Sequence, residues 1–294
     1  MNDRQQHQQE VRAFLQKLFS NRDWEFTRPM GTGKETYFAH GNGSIYFVKL
    51  NAPVAIYQAM SSIGLTPPVI GIGCLEDGTS LLVQPYVTGR KPSRKDFRDY
   101  LEQIAKIIDR THHSPELKRL LPETPSDLYS VLASESLSRV QLRWEQCKAQ
   151  VPVIAALVDE HLVYLAQQTQ GLRGAGLVAS QNDICNANWL IASDGLIYLI
   201  DLDSMSLDDP AADIGAILWW YYPPGLRRRF LEIVGYANEE QFETRMHVRM
   251  AIHCLSITLP RTHSFDRFDP DNFAESLTDF RAILAGSENP QGYD

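Results

Sequence analysis

The sequence predicts an α+β chain, a small antiparallel-sheet lobe followed by a larger, mainly helical one. Short apolar runs punctuated by glycine turns crowd the N-terminal part, such as Ser44–Leu50 after Gly41-Asn42-Gly43, and Ser80–Tyr86. Their length and punctuation fit strands. From Asp96 onward the apolar residues recur at helical spacing instead. A third observation interrupts the helices: Trp189–Ala192 and Leu196–Ile200 flank Ser193-Asp194-Gly195, the pattern of a hairpin closed by an Asp-Gly turn. The expected lobes are residues 1–88 and 89–294.

Each element has its own local signal. Val11, Phe14, Leu15, Leu18 and Phe19 make one face of an amphipathic helix, expected to pack on the sheet that follows. Met30–Phe38 and Ser44–Leu50 are expected as paired strands, with Gly31 and Gly33 at the first bend. Ala52–Ile63 is expected as a helix, with Pro53 in its first turn and Gly64 past its end. No acidic residue occurs in it. Phe97, Tyr100, Leu101, Ile104, Ile107 and Ile108 line one helical face leading to Thr111-His112-His113. Pro115–Pro125 is a connector, and two helices follow around Asp127–Gln146 and Val153–Gln168. Arg227-Arg228-Arg229 is expected as a solvated helix face, Phe242–Leu259 as another amphipathic helix, and Gly286–Asp294 as a frayed polar end.

Composition narrows the class. A chain of 294 residues can form two lobes with a sizeable core, and 44% hydrophobic with 22% charged residues is ordinary for a globular protein. The net charge of −8 gives no bulk support to nucleic-acid binding, so no nucleic-acid partner is expected. Cys74, Cys147, Cys185 and Cys254 are scattered without a C-x-x-C pair, which argues against a zinc site or a disulfide framework. The leader M-N-D-R-Q-Q-H-Q-Q-E lacks the apolar stretch of a signal peptide. The longest strongly apolar run, Ala216–Tyr222, is too short to span a bilayer. The expectation is a cytoplasmic protein without a membrane partner.

The polar residues around the hairpin carry the chemistry. Asp183 is followed by Asn188, the second strand segment ends on Ile200-Asp201-Leu202-Asp203, and Asp209-Pro210-Ala211-Ala212-Asp213 comes next. A hairpin holds Asn188 at one mouth and returns Asp201 to it. Phosphoryl transfer needs such a set: a carboxylate to orient and deprotonate an acceptor hydroxyl, and an Asn with an Asp to hold magnesium on the phosphates. At these residues the chain resembles the aminoglycoside phosphotransferase and choline kinase-like family of small-molecule kinases. That family's catalytic loop reads H-x-D-x-x-x-x-N, followed by I-D-x-[DE] and D-P-x-x-D. Gln181 stands at the histidine position.

The resemblance implies a bilobal protein kinase-like fold. It implies transfer of the γ-phosphoryl group of ATP, with GTP as the other donor left open, to a hydroxyl of a small molecule with magnesium present. Asp183 would then be the base, Asn188 and Asp201 the metal ligands, and Lys49 the lysine on the α/β-phosphates, with Lys34 in the flap as its competitor. Gly31 and Gly33 would form the phosphate flap. Backbone groups from Gln84 to Tyr86 would meet the adenine edge, with Tyr86 or Val87 as donor because Pro85 has no N–H. Gln181 and Asp213 would brace the catalytic loop, and Asp203 would assist at the metal or the acceptor. Residues 115–175 would be the helical insertion beside the acceptor. Family members carry a Glu in the helix after the lysine strand; in its absence Lys49 is expected either to find another partner, Glu35, or to be held only when nucleotide is bound. Asp203, Asp208 and Asp209, expected unpaired, with Trp219 and Trp220 beyond, favour a cationic acceptor such as an aminoglycoside-like compound or an amino alcohol. Aromatic runs of this kind more often pack into a core. His253 and His263 are further pocket candidates. The alternative is a catalytically weak, nucleotide-binding protein of the same fold.

Overall fold

The computed structural model describes residues 3–20, 23–29, 35–41, 43–259 and 270–293. It divides into two compact units, one of Met1–Pro92, Pro115–Leu120 and Asn186–Ser204, the other of Ser93–Ser114, Leu121–Cys185 and Met205–Asp294. The hairpin that the sequence assigns to the second lobe is therefore grouped with the N-terminal segment.

The first unit opens with α1 (Asp3–Phe19), β1 (Glu25–Thr27), β2 (Thr36–Gly41), β3 (Ser44–Leu50), α2 (Val54–Ser62), β4 (Gly71–Cys74) and β5 (Ser80–Pro85). The strands form one antiparallel sheet in the order β1-β2-β3-β5-β4. Val11 and Leu15 of α1 pack with Tyr37, Ala39, Val48, Leu81 and Val83 in one core, as the helix periodicity predicts. Glycine makes the close seating possible. A Cβ on Gly71 would lie 2.6 Å from Leu18, and one on Gly73 would lie 2.5 Å from Phe14, distances that no side chain tolerates without displacement.

A second sheet hangs from the end of β5. There β6 (Gly89–Arg90) pairs antiparallel with β8 (Trp189–Ala192), which pairs with β9 (Ile197–Leu199). Gly89 approaches so closely that an added Cβ would sit 2.4 Å from the Ile191 carbonyl oxygen. Ser193 N–H donates to the Thr88 carbonyl at 2.8 Å.

The second unit is mainly helical: α3 (Arg94–Asp99), α4 (Leu101–His112), α6 (Tyr129–Cys147), α7 (Ala155–Gly171), α8 (Ala211–Tyr221), α9 (Pro224–Ile233), α10 (Phe242–Thr258) and α11 (Pro270–Leu284). Its short sheet pairs β7 (Val178–Ser180) antiparallel with β10 (Ser206–Asp208). Trp144, Val158, Leu165, Trp219, Leu255 and Phe280 centre a core shared by α6, α7, α8, α10 and α11. Each such buried side chain contributes about 1.5–3 kcal/mol through the hydrophobic effect.

Three expectations are corrected. The helical face from Phe97 to Ile108 breaks at Tyr100 into α3 and α4, and Ser93 with Asp96 forms a capping box that fixes the start of α3. The Pro115–Pro125 connector contains a helix, α5 (Pro115–Leu120). The C-terminal stretch is tied down: Arg94 donates to the Gln291 and Gly292 carbonyls, and buried Asn289 donates to the Trp219 carbonyl at 3.3 Å.

Candidate active site

The hairpin of the first unit sets out its polar residues through its register. Trp189 faces Leu199, and one step further Ile200 N–H donates to the Asn188 carbonyl at 2.9 Å. Asn188 and Asp201 thus lie at the same end of the two strands. The opposite end turns at Gly195, whose φ of +87° requires glycine, with Leu196 N–H donating to the Asp194 carboxylate at 3.1 Å. Asp201 itself has φ +55°, a left-handed conformation that Asp enters more easily than most residues. Strained backbone of this kind clusters at functional sites.

That bend brings two carboxylates to one ammonium. Lys49 Nζ, 3% exposed, lies 2.8 Å from Asp201 Oδ1 and 2.7 Å from Asp203 Oδ1. It also donates to the Tyr57 hydroxyl at 3.0 Å. Burial disfavours the lysine charge, but Tyr57, Asp201 and Asp203 outweigh it and raise the Lys49 pKa. Glu35, the partner expected from sequence, instead accepts from the Tyr37 hydroxyl at 2.6 Å and lies 2.9 Å from His7. It is held just before β2, and the carboxylates for Lys49 come from the end of the β8–β9 hairpin instead.

The nucleotide-edge expectation also shifts. Tyr86 N–H donates to the Ile45 carbonyl at 2.9 Å, so of the two expected donors its N–H is already used within the sheet. Gln84 is buried, and its side-chain amide donates to the Pro67 carbonyl. Gly31, Gly33 and Lys34 of the expected flap lie outside the described residues, as does His263.

In the second unit the loop after β7 is pinned from beneath. The Asp213 carboxylate accepts Gln181 N–H at 2.7 Å and Asn182 N–H at 2.8 Å. His112, fully buried, lies 3.2 Å from Asp213 through Nε2 and 3.2 Å from the Tyr236 hydroxyl through Nδ1. Burial alone would raise the Asp213 pKa; the His112 contact and the two backbone donors hold it below the usual range. Gln181 is fully buried, and its Oε1 accepts Asp183 N–H at 2.7 Å. Asp183 is itself exposed. Burial lowers the His253 pKa against the opposing charge of Asp183, and Trp220 packs edge-on against that imidazole, centroids 5.5 Å apart.

Asp208 and Asp209 are not unpaired acids. Arg249 meets Asp208, and buried Arg245 meets buried Asp209 at 3.2 Å while also reaching Glu239 at 2.7 Å. Arg245 also stacks its guanidinium 3.8 Å from the Tyr129 ring centroid. At the start of α8 Asp209 accepts Ala211 N–H at 2.9 Å. Trp219 packs in the helical core. Both carboxylates are spent on holding β10 and the start of α8, which removes the electrostatic reason for expecting a cation beside them.

A family model described as the phosphotransferase enzyme family matches residues 17–250. The chain belongs to that family. Its fold is the protein kinase-like fold of known phosphotransferases. The GDP complex of wild-type aminoglycoside 2'-phosphotransferase-IIIa superposes with a TM-score of 0.64 at 15% identity, covering 93% of this chain and 97% of that one. Choline kinase LicA from Streptococcus pneumoniae gives 0.60 at 15% identity, covering 95% and 98%. A thermostable mutant of aminoglycoside phosphotransferase APH(4)-Ia, in ternary complex with AMP-PNP and hygromycin B, gives 0.65 at 15% identity, covering 94% and 98%. At these identities the likeness is one of fold.

The donor set of this phosphotransferase suits magnesium. Asp201 and Asn188 offer hard oxygen ligands, and Asp201 with Asp203 outweighs Lys49 by one negative charge, which a divalent cation would offset. Among the described residues no group of three or more His, Cys, Asp or Glu could hold a metal alone. Magnesium does not need one, because it binds through one or two carboxylates plus substrate phosphates. Sequence reasoning missed Tyr57 and the two arginines. Arg245 and Arg249, four apart on α10, carried a usable signal: two cations on one helical face require acids opposite.

Proposed function

We propose that this phosphotransferase moves the γ-phosphoryl group of ATP to a hydroxyl of a small molecule. The observation that carries this reading is the meeting of Lys49 with Asp201 and Asp203 beside Asn188, a cation and oxygen ligands gathered as a magnesium nucleotide requires. Asn188 and Asp201 would hold magnesium, which neutralises phosphate charge when bound. Lys49 holds the α/β-phosphates. Asp183 orients the acceptor hydroxyl and takes its proton, and its exposed carboxylate on a loop pinned by Gln181 and Asp213 supports that role. A fixed carboxylate lowers the entropic part of the barrier, because the attacking oxygen is held in position. The Gln181 bond to Asp183 N–H favours an active enzyme over a weakened one, since it supplies the brace that the family's histidine would.

Within this class we favour an acceptor bearing an amine, as in aminoglycosides and amino alcohols. Its support is the chain's net charge of −8 and the fold shared with enzymes named for such compounds. The test is ADP release over an acceptor panel in which each amine is matched with its deoxy-amino counterpart at low and high salt. Asp183→Asn should lower turnover by orders of magnitude while Mg·ATP affinity, measured by calorimetry, stays near wild type. Unchanged turnover would remove Asp183 from the mechanism.

A further inference from the structure

The helix that follows the lysine strand contains no carboxylate, yet Lys49 is buried and held. Tyr57 occupies the buried face of that helix, 2% exposed. Its hydroxyl oxygen accepts from Lys49 Nζ at 3.0 Å and from the Leu202 backbone N–H at 3.2 Å. Nζ also lies over the ring, 5.4 Å from its centroid, a contact that a phenylalanine at this position would keep. One oxygen therefore ties α2 to the lysine and to the bend between Asp201 and Asp203.

A neutral phenol does different work from a carboxylate at this place. Asp201 and Asp203 are the counter-charges of Lys49, and with a divalent cation and phosphates bound the carboxylates would be shared between lysine and metal. The phenol carries no charge for the cation to recruit, and its burial keeps it protonated. Its two bonds can persist while the carboxylates are shared.

We infer that Tyr57 is a positioning residue that holds Lys49 and the Asp201–Asp203 bend in register through its neutral hydroxyl. The inference rests on the nucleotide site proposed above.

The test is a double-mutant cycle of Tyr57→Phe and Lys49→Met, read as Mg·ADP affinity and as kcat and KM for nucleotide. Tyr57→Phe keeps the ring and deletes the hydroxyl. The expected result is a loss of about tenfold or more in kcat/KM, with little further loss once Lys49 is replaced. Equal losses in both backgrounds, or wild-type behaviour of Tyr57→Phe, would overturn the inference. A second readout needs no nucleotide: acylation of Lys49 by an amine-reactive ester, followed by mass spectrometry. Its rate should rise severalfold in Tyr57→Phe, and an unchanged rate also overturns the inference. A wild-type protein that binds no nucleotide defeats the proposed function, while the labelling rate still judges Tyr57. If Tyr57→Phe does not fold, Tyr57→His takes its place, and the same coupling to Lys49 is required.

Discussion

A buried ammonium survives only where opposite charge and hydrogen-bond acceptors surround it, and Lys49 has both in Asp201, Asp203 and Tyr57. Asp201 is consequently committed twice, to the lysine and to the expected metal. Asp201→Ala should abolish Mg-dependent nucleotide binding, because Asn188 is a neutral and weak ligand for a hard cation. Asp201→Asn, which still tolerates the left-handed backbone, should lose metal dependence with less effect on folding. Calorimetry with and without magnesium decides between loss of the ligand and loss of the fold. Gln181 is the opposite case, a residue whose shape matters more than its charge. Gln181→His should keep turnover within an order of magnitude, whereas Gln181→Ala removes the acceptor of Asp183 N–H, a cost of about 0.5–1.5 kcal/mol. These residues were legible because D-x-x-x-x-N and I-D-x-D are ordered signatures. Tyr57 was not, since a tyrosine on an apolar helix face looks like any core aromatic until its hydroxyl is seen between Lys49 and Leu202.

The elements were legible where one local signal dominated. The β8–β9 hairpin announced itself through Asp194-Gly195, α1 through its apolar face, and α2 through Pro53 and Gly64. Misreadings arose where tertiary contacts decide. The break at Tyr100 interrupts an unbroken apolar pattern, α5 forms inside a proline-bounded connector, and the tail is held by Arg94 and Arg227 from distant helices. The Tyr86 N–H was misjudged for the same reason, because strand register gives it to Ile45. Gly89 shows how an element can depend on a missing atom. Gly89→Ala would drive a Cβ to within 2.4 Å of a backbone oxygen that cannot rotate away. The expected destabilisation is about 1–3 kcal/mol, with faster amide exchange along β8 and β9. Gly225 in α9 has nothing within 4 Å of an added Cβ, so Gly225→Ala should instead stabilise by about 0.4–1 kcal/mol. Chemical denaturation of the two variants side by side measures both signs.

For the molecule as a whole, no helix among the described residues is long and apolar enough to cross a membrane, and the charge balance of −8 makes pH the natural lever on stability. His7 on α1 lies 2.9 Å from Glu35 before β2 and 2.9 Å from Asp77 in the β4–β5 turn. Hydrogen bonds to those two acids raise its pKa above 6.5 against a smaller effect of burial. A folded-state pKa above the unfolded value means that the folded chain binds the proton more tightly. The resulting stability is fully present below pH 6.5 and is lost as pH rises through the raised folded value. Asp77 behaves in the other direction: the Thr79 backbone donor and His7 lower it to about 2. Its contribution is present above pH 3.8 and fades as pH falls towards 2, so both contributions are present between pH 3.8 and 6.5 and each is lost on its own side of that range. Thermal unfolding of wild type and His7→Gln between pH 5.5 and 9 separates the histidine from other groups. Wild type should lead by about two degrees at the acid end, and the curves should converge as the pH rises. Parallel curves across that range would show that His7 stabilises α1 by packing alone and that its proton plays no part.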